Sequence, residues 1–85
     1  MRAWKLGVLP NPVLGDFAVV VNGGEDPSLL RLQITDINGL VIREDRELGS
    51  RRLELEGNTL PPGDYIAQLI YMNMVIQRVH FLKIR

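Results

Sequence analysis

Turn signals recur along the whole chain at short, regular intervals, and they restrict the fold more than any other feature of the sequence. Clusters of proline, glycine and asparagine separate short runs of alternating or β-branched residues. Short, evenly spaced strands of this kind are typical of a sandwich or a barrel. No apolar face continues at helical spacing for about three turns without a glycine or proline. The predicted strands are about Trp4–Leu9, Phe17–Val21, Leu29–Thr35, Leu40–Arg46, Arg52–Glu56, Tyr65–Tyr71 and Val75–Ile84.

Two segments predict how these strands pair. Asn38-Gly39 lies between two strand-like runs and predicts a hairpin with a type I′ turn, which needs positive φ at both central residues. Tyr65–Tyr71 is apolar on nearly both faces, which predicts a central strand with a neighbour on each side. Together the pattern predicts an all-β chain that forms an immunoglobulin-like, two-sheet antiparallel β-sandwich of about seven strands.

The composition excludes several classes of function. The 85 residues allow one small domain, and ten basic and ten acidic residues cancel, so the footprint of a nucleic-acid binder is missing. The chain has no cysteine, which excludes disulfides, thiolate chemistry and zinc held by thiolates. No targeting segment or membrane helix is visible in the sequence. Unpaired strand edges and 46% apolar residues favour a homodimer of the domain in isolation.

Catalysis and metal binding have little support in the sequence. A Ser–His–Asp arrangement can be assembled on paper from Ser50, His80 and Asp64, but no spacing favours it. His80 is expected to be a partly exposed strand residue. The segment Asp36–Gly39 shares letters with a calcium loop, yet an Asp–Asn turn that hydrogen-bonds its own backbone explains them. We therefore expect no catalytic residue, no cofactor and no metal.

Leu60-Pro61-Pro62-Gly63-Asp64-Tyr65 is the most distinctive segment of the chain. Its prolines cannot donate to a β-ladder, so the chain is expected to cross between the sheets there. Tyr65 is expected to bury its ring and return its hydroxyl to the preceding loop, as in a tyrosine corner.

Two further segments are expected at the surface. The charged run Arg43–Glu47, followed by Arg51 and Arg52, mixes signs and predicts a solvated hairpin end that discourages edge-to-edge pairing. Met72-Asn73-Met74 lies in a turn between two strands, where two interpretations stay open. The methionines form an exposed, adaptable contact surface, or the turn folds back over the end of the core.

Four segments occur in a fixed order along the chain. They are Leu9-Pro10-Asn11-Pro12, Asp36-Ile37-Asn38-Gly39-Leu40-Val41, Leu60-Pro61-Pro62-Gly63-Asp64-Tyr65-Ile66-Ala67-Gln68-Leu69 and Arg78-Val79-His80-Phe81-Leu82-Lys83-Ile84-Arg85. This ordered set resembles the type A C-terminal sorting domain of cargo proteins of the type IX secretion system, over roughly residues 8–85. Two positions depart from the family pattern. Leu40 replaces a basic residue, and Met72-Asn73-Met74 replaces glycine and polar residues.

The resemblance implies a signal rather than an enzyme. Such domains lie at the C-terminus of large secreted proteins of Gram-negative bacteria, which enter the periplasm by a cleaved N-terminal signal. The outer-membrane translocon recognises the folded domain, and a sortase commonly removes it and attaches the cargo to the cell surface. Residues 1–8 are then expected to be linker or first-strand residues from upstream cargo, and residues 9–85 the sorting domain of a larger protein.

The resemblance also implies roles for individual residues. The expected partner-binding residues are Pro10, Asn11, Pro12, Lys83, Ile84 and Arg85. The residues expected to maintain the structural motifs are Asp36, Asn38, Gly39, Leu60, Pro62, Gly63 and Tyr65. The alternative function is an accessory immunoglobulin- or fibronectin-like module that spaces or docks an extracellular enzyme, since one sandwich serves both uses.

Overall fold

The computed structural model describes residues 4–23, 29–45 and 51–84, which form two antiparallel sheets that enclose a common core. The strands are β1 (Lys5–Leu9), β2 (Phe17–Asn22), β3 (Leu30–Asp36), β4 (Val41–Asp45), β5 (Arg52–Leu55), β6 (Gly63–Tyr71) and β7 (Met74–Lys83). One sheet has the order β1-β2-β5 and the other β4-β3-β6-β7. The predicted seven-stranded sandwich is confirmed, with every predicted strand end within two residues of the observed one.

A 3₁₀ turn at Gly57–Thr59 lies between β5 and β6. In the described parts of the chain, no helix has the length and apolar character needed to cross a membrane.

The core divides into two clusters, one toward each end of the sandwich. The larger cluster contains Val8, Val13, Phe17, Val19, Leu32, Ile34, Leu55, Leu60, Tyr65, Ala67 and Phe81. The smaller cluster contains Trp4, Val21, Leu30 and Leu69. Strand β1 supplies Val8 to the larger cluster. The expected boundary between the linker and the sorting domain, between residues 8 and 9, therefore falls inside a strand of the sandwich.

The β-sheet register defines two opposite ends of the sandwich. At one end, Tyr65 pairs with Asp36 and Gly63 pairs with Lys83. We call this the proline end, because Pro10, Pro12, Pro61 and Pro62 lie there. At the opposite end, Tyr71 pairs with both Leu30 and Met74. We call this the methionine end, because it carries Met72, Met74 and the cluster around Trp4.

Strand β6 is central, as its sequence predicts. It pairs along its length with β3 on one side and β7 on the other. The preceding segment Leu60–Pro62 carries the chain from β5 in the first sheet to β6 in the second. The predicted crossing is therefore confirmed, and its cause is that proline has no N–H for a ladder.

A row of polar side chains crosses the outer face of the four-stranded sheet. The Gln33 amide on β3 donates to Glu44 on β4, and the Gln68 amide on β6 donates to Gln33 Oε1 over 2.8 Å. Arg78 on β7 then donates to Gln68 Oε1 over 3.2 Å. The four side chains occupy directly opposed register positions, so they satisfy one another across all four strands.

The charged run at β4 is only partly solvated. Arg43 and Asp45 pair with each other, Nε to Oδ2 over 2.9 Å, and both are about one-third exposed or less. Their register partners are the core residues Ile34 and Leu32, so this edge strand turns charges toward the inner face. Inward-pointing charges are one of the ways in which proteins protect a sheet edge. Residues 46–50 of the predicted hairpin end lie outside the described residues.

The turn between β3 and β4 differs from the sequence prediction. The β3–β4 hairpin exists, but Gly39 alone has positive φ, at 90°, so a type I′ turn at Asn38-Gly39 is wrong. Asp36 N–H donates to the Leu40 carbonyl over 3.0 Å, which leaves a three-residue loop that needs one left-handed residue at its third position. The two-residue turn with positive φ at both positions is Met72-Asn73, at 50° and 66°.

Candidate recognition surface

The predicted N-terminal and C-terminal recognition segments lie side by side at the proline end. Val13 N–H donates to the Leu82 carbonyl over 2.7 Å, and Ile84 N–H donates to the Val13 carbonyl over 2.9 Å. Asn11 Nδ2 donates to the His80 carbonyl over 3.5 Å. Residues 10–13 therefore leave the first sheet after β1 and attach to the free side of β7 in the second sheet.

The predicted binding residues differ in accessibility. Pro10, Asn11 and Pro12 are exposed, and Ile84 is 46% exposed. Lys83, by contrast, is only 3% exposed, because it pairs with Gly63 and points to the inner side of the sheet. Its burial favours a structural role over direct contact. Arg85 lies outside the described residues.

The proline end also exposes apolar side chains that the sequence analysis did not single out. Leu9 and Leu14, on either side of the proline segment, are 53% and 57% exposed, and Leu82 is 42% exposed. An open groove of about 630 Å³ continues this surface and is lined by Leu14, Leu60, Lys83 and the acidic residues Asp16 and Glu56. The surface thus combines exposed apolar side chains with a few charged groups.

Tyr65 fastens the chain crossing that supports this surface. Its hydroxyl donates to the Pro61 carbonyl, and its ring stacks on Phe81 with 5.7 Å between centroids. Phe17 lies on the other side of Phe81, at 5.8 Å. Burial raises the pKa of Tyr65 above its ordinary value, and the nearby negative charge of Asp36 adds to the shift. The predicted tyrosine corner is confirmed.

Asp36 organises the neighbouring turn through its side chain. One carboxylate oxygen accepts the N–H groups of Asn38 and Leu40, over 2.9 and 3.0 Å. These bonds are the Asp–Asn turn that the sequence analysis weighed against a calcium loop. The carboxylate therefore has a structural use, which is to hold the loop that Gly39 completes.

Two glycines bring two loops of the first sheet into close contact. An added Cβ at Gly57 would lie 2.6 Å from the carbonyl carbon of Gly15. The Asp16 carboxylate accepts the Gly57 N–H over 2.8 Å and holds the loops at this distance. This contact closes one side of the proline end. The sequence signals the turn at Gly57-Asn58, but the neighbour of Gly57 follows only from the tertiary structure.

His80 and Asp64, which the sequence analysis grouped on paper with Ser50, do meet in the structure. His80 Nε2 lies 3.1 Å from Asp64 Oδ1, on the outer face of β6 and β7, and the two side chains are 64% and 50% exposed. The expectation of an exposed strand histidine is confirmed. Ser50 lies outside the described residues. The pair sits next to the Asn11 contact and so forms part of the same surface.

Sequence reasoning missed Val13, which joins the two recognition segments. Its side chain is fully buried among the core residues, and its backbone makes both hydrogen bonds to β7. The only signal for it was a β-branched residue directly after Pro12. A single apolar residue carries no periodicity, so no local pattern predicts that it pairs with a strand about seventy residues away.

Comparison with known proteins gives one match. A family model described as the secretion system C-terminal sorting domain matches residues 7–80. The comparison with curated proteins found no match, and neither did the comparison with solved structures. The family match includes the proline segment, the β3–β4 hairpin and the Tyr65 crossing.

Proposed function

The chain belongs to the C-terminal sorting domain family of type IX secretion, and we propose that it is the signal by which the outer-membrane translocon and the sortase recognise an exported cargo protein. A domain of this family implies a secreted or cell-surface cargo and an interaction with the secretion machinery. The family match over residues 7–80 is the observation that carries the proposal. The route through the periplasm of a Gram-negative cell is part of what we propose.

The proline end is our proposed contact surface for the machinery. Its support is the juxtaposition of residues 10–13 with the end of β7, which turns two segments distant in sequence into one surface. Pro10, Asn11, Pro12 and Ile84 are the exposed members that a partner could contact directly. A few well-packed anchor side chains usually supply most of the binding energy at a protein interface.

We propose that the domain does this without catalysis of its own. Sorting domains are not a catalytic family. The His80–Asp64 pair is exposed on a flat strand face, and Asn11 bonds the backbone beside it. An exposed pair of this kind suits a surface contact better than a site that must exclude water.

An export experiment tests the proposed function. Residues 1–85 are fused behind a signal peptide and a reporter, and the fusion is expressed in a host with a working type IX system. We expect the reporter at the cell surface or in the medium. A reporter that stays in the periplasm would contradict the proposal. A module that only spaces or docks an enzyme, which is the alternative function, would give that result.

Point variants of the same fusion test the contact surface. Ile84→Ser should weaken recognition by about tenfold if Ile84 is an anchor, because an anchor residue contributes on the order of 1–2 kcal/mol. Met74→Ser removes an exposed apolar side chain from the opposite end and serves as the matched control. Deleting Lys83 is a poor test, since its burial and its pairing with Gly63 couple export to folding.

A further inference from the structure

The methionine end exposes a second apolar surface, at the far side of the molecule from the proline end. Leu29, Met72, Met74 and Val75 are 54%, 72%, 67% and 41% exposed. All four lie at the same end of the four-stranded sheet, because Leu30 pairs with Tyr71 and Tyr71 pairs with Met74, and the consecutive residues Met74 and Val75 point to opposite faces of that end. The sandwich is 37 Å long, so one compact contact at the proline end does not reach this surface.

The conformation of Met72 indicates that the domain does not keep this residue for its own stability. Its φ of 50° is in the left-handed region, which is unfavourable for a residue with a long side chain and suits glycine or asparagine. The side chain is largely exposed and adds little to the core. Asn73 holds the turn in place by accepting a hydrogen bond from Arg31 over 3.3 Å. The turn thus presents an exposed methionine in an unfavourable backbone conformation.

The path of the chain indicates what lies next to this surface. Trp4 is packed on Val21, Leu30 and Leu69 at the methionine end. The Arg51 guanidinium lies 5.4 Å from the centre of the Trp4 ring and donates to the Gly23 carbonyl. The described chain enters β1 from this end, since Lys5 pairs with Asn22 and Leu9 pairs with Ala18. A neighbour tethered on the N-terminal side of the sandwich therefore has a high effective concentration here.

We propose that the domain preceding this chain in the exported polypeptide docks on the surface formed by Leu29, Met72, Met74 and Val75. This rests on the proposed function in one respect, that a cargo protein precedes the sorting domain. Methionine side chains are flexible and polarisable, so they adapt to an apolar surface that does not have a fixed shape. The docking would hold the cargo away from the proline end and leave that end open to the machinery.

Methionine oxidation tests the docking directly. The natural polypeptide with its preceding domain and the 85-residue chain alone are treated with dilute hydrogen peroxide, and the sulfoxide at Met72 and Met74 is followed by mass spectrometry. Exposed methionines oxidise readily. We expect oxidation about tenfold slower in the natural polypeptide, which corresponds to a docked fraction of about 90%. Equal oxidation rates in the two proteins would overturn the proposal. It would also be overturned if the isolated chain became more protected from oxidation as its concentration rose, because a second copy of the chain would then cover the surface.

A pair of variants separates docking from folding. The isolated chain with Met72→Asn and Met74→Gln should unfold at the same denaturant concentration as the isolated wild-type chain, or at a higher one. In the natural polypeptide, the same two substitutions should remove the stabilisation that the preceding domain adds. Leu40→Asn is the matched control, because Leu40 is as exposed as Met74 but lies at the proline end. The Leu40→Asn substitution should change the denaturation midpoint by the same amount with and without the preceding domain. The proposal would be overturned if the preceding domain no longer stabilised the Leu40→Asn variant, or if it still stabilised the double variant.

The outcomes remain distinguishable from those of the export experiment. The export experiment uses an unrelated reporter, which has no reason to fit the methionine end. Export of that reporter without protection in the natural polypeptide would overturn the docking alone. Protection without export would leave the docking supported and contradict the proposed function.

Discussion

The proline end and the methionine end of the sandwich differ in how side chains are used. At the proline end, the Phe81 ring stacks on Tyr65 and contacts the tilted ring of Phe17, and side chains such as Asp36 and Asp16 hold the loops through hydrogen bonds. At the methionine end, the turn is only two residues long and its first residue, Met72, is both exposed and in an unfavourable conformation.

The difference shows how a small domain can divide its surface. A folded recognition surface must hold several chain segments in one arrangement, and the proline end does so with buried rings and side-chain hydrogen bonds. A surface that meets a tethered neighbour needs less precision, because the tether already brings the two together. Substitutions that disturb the proline end should therefore lower the stability of the domain, whereas one that relieves the backbone conformation of Met72 should raise it.

Gly57→Ala should have the largest effect, because its added Cβ would clash with the backbone of Gly15. The new Cβ would lie within 3 Å of three backbone atoms of Gly15, and a backbone has little freedom to move. We expect a loss of about 3 kcal/mol in the free energy of unfolding, measured by urea denaturation. Gly15→Ala is the control, since its Cβ would meet no atom within 4 Å. An equal loss in both variants would contradict the role of the contact.

Gly39→Ala should cost about 1–2 kcal/mol of unfolding free energy, since alanine is unfavourable at positive φ. The φ of Gly39 is 90°, and an added Cβ would meet no atom within 4 Å, so the loss should come from backbone conformation alone. Gly39→Asn should recover part of it, because asparagine tolerates this region better than alanine. A stability unchanged in Gly39→Ala would refute the three-residue loop.

Tyr65→Phe should lower the unfolding free energy by about 1 kcal/mol at neutral pH, through loss of the hydrogen bond to Pro61. It should also change the alkaline response. Folding raises the pKa of Tyr65, so the stabilisation from its neutral hydroxyl is complete below the unfolded value of 10.0 and is lost as the pH rises through the folded value. The variant should therefore lose less stability above pH 10 than the wild type.

The control for this pH profile is Tyr71→Phe, which retains Tyr65 and should keep the wild-type alkaline loss. Denaturant midpoints at a series of pH values measure all three proteins. An alkaline loss that is unchanged in Tyr65→Phe would show that another group causes it.

Met72→Asn should have the smallest effect and the opposite sign. Asparagine accepts the left-handed conformation that Met72 adopts, so the isolated chain should gain up to about 1 kcal/mol. The denaturant midpoint measures this gain. Met74→Asn, in the adjoining strand, has no positive φ to relieve and should give no increase. A loss of stability in Met72→Asn would mean that Met72 contributes to the fold after all.

Local sequence patterns predict some features of this fold and not others. Strand positions, the central place of β6 and the tyrosine corner at Tyr65 all follow from local patterns, because alternation and proline constrain a chain within a few residues. The type of the β3–β4 turn did not follow. Asn38-Gly39 has the favoured letters for two positive φ values, but the carboxylate of Asp36 extends the loop and leaves only Gly39 left-handed.

The sequence by itself determined that this protein is a seven-stranded sandwich with a sorting-domain pattern, since both depend on order and spacing along the chain. Only the tertiary structure decided which residues share a surface. Val13 joins Pro10–Pro12 to β7, and Trp4 shares an end with Met72, because antiparallel strands bring distant residues together at each end of a sheet. Burial is likewise a tertiary property, and it separates the enclosed Lys83 from the exposed Ile84 beside it.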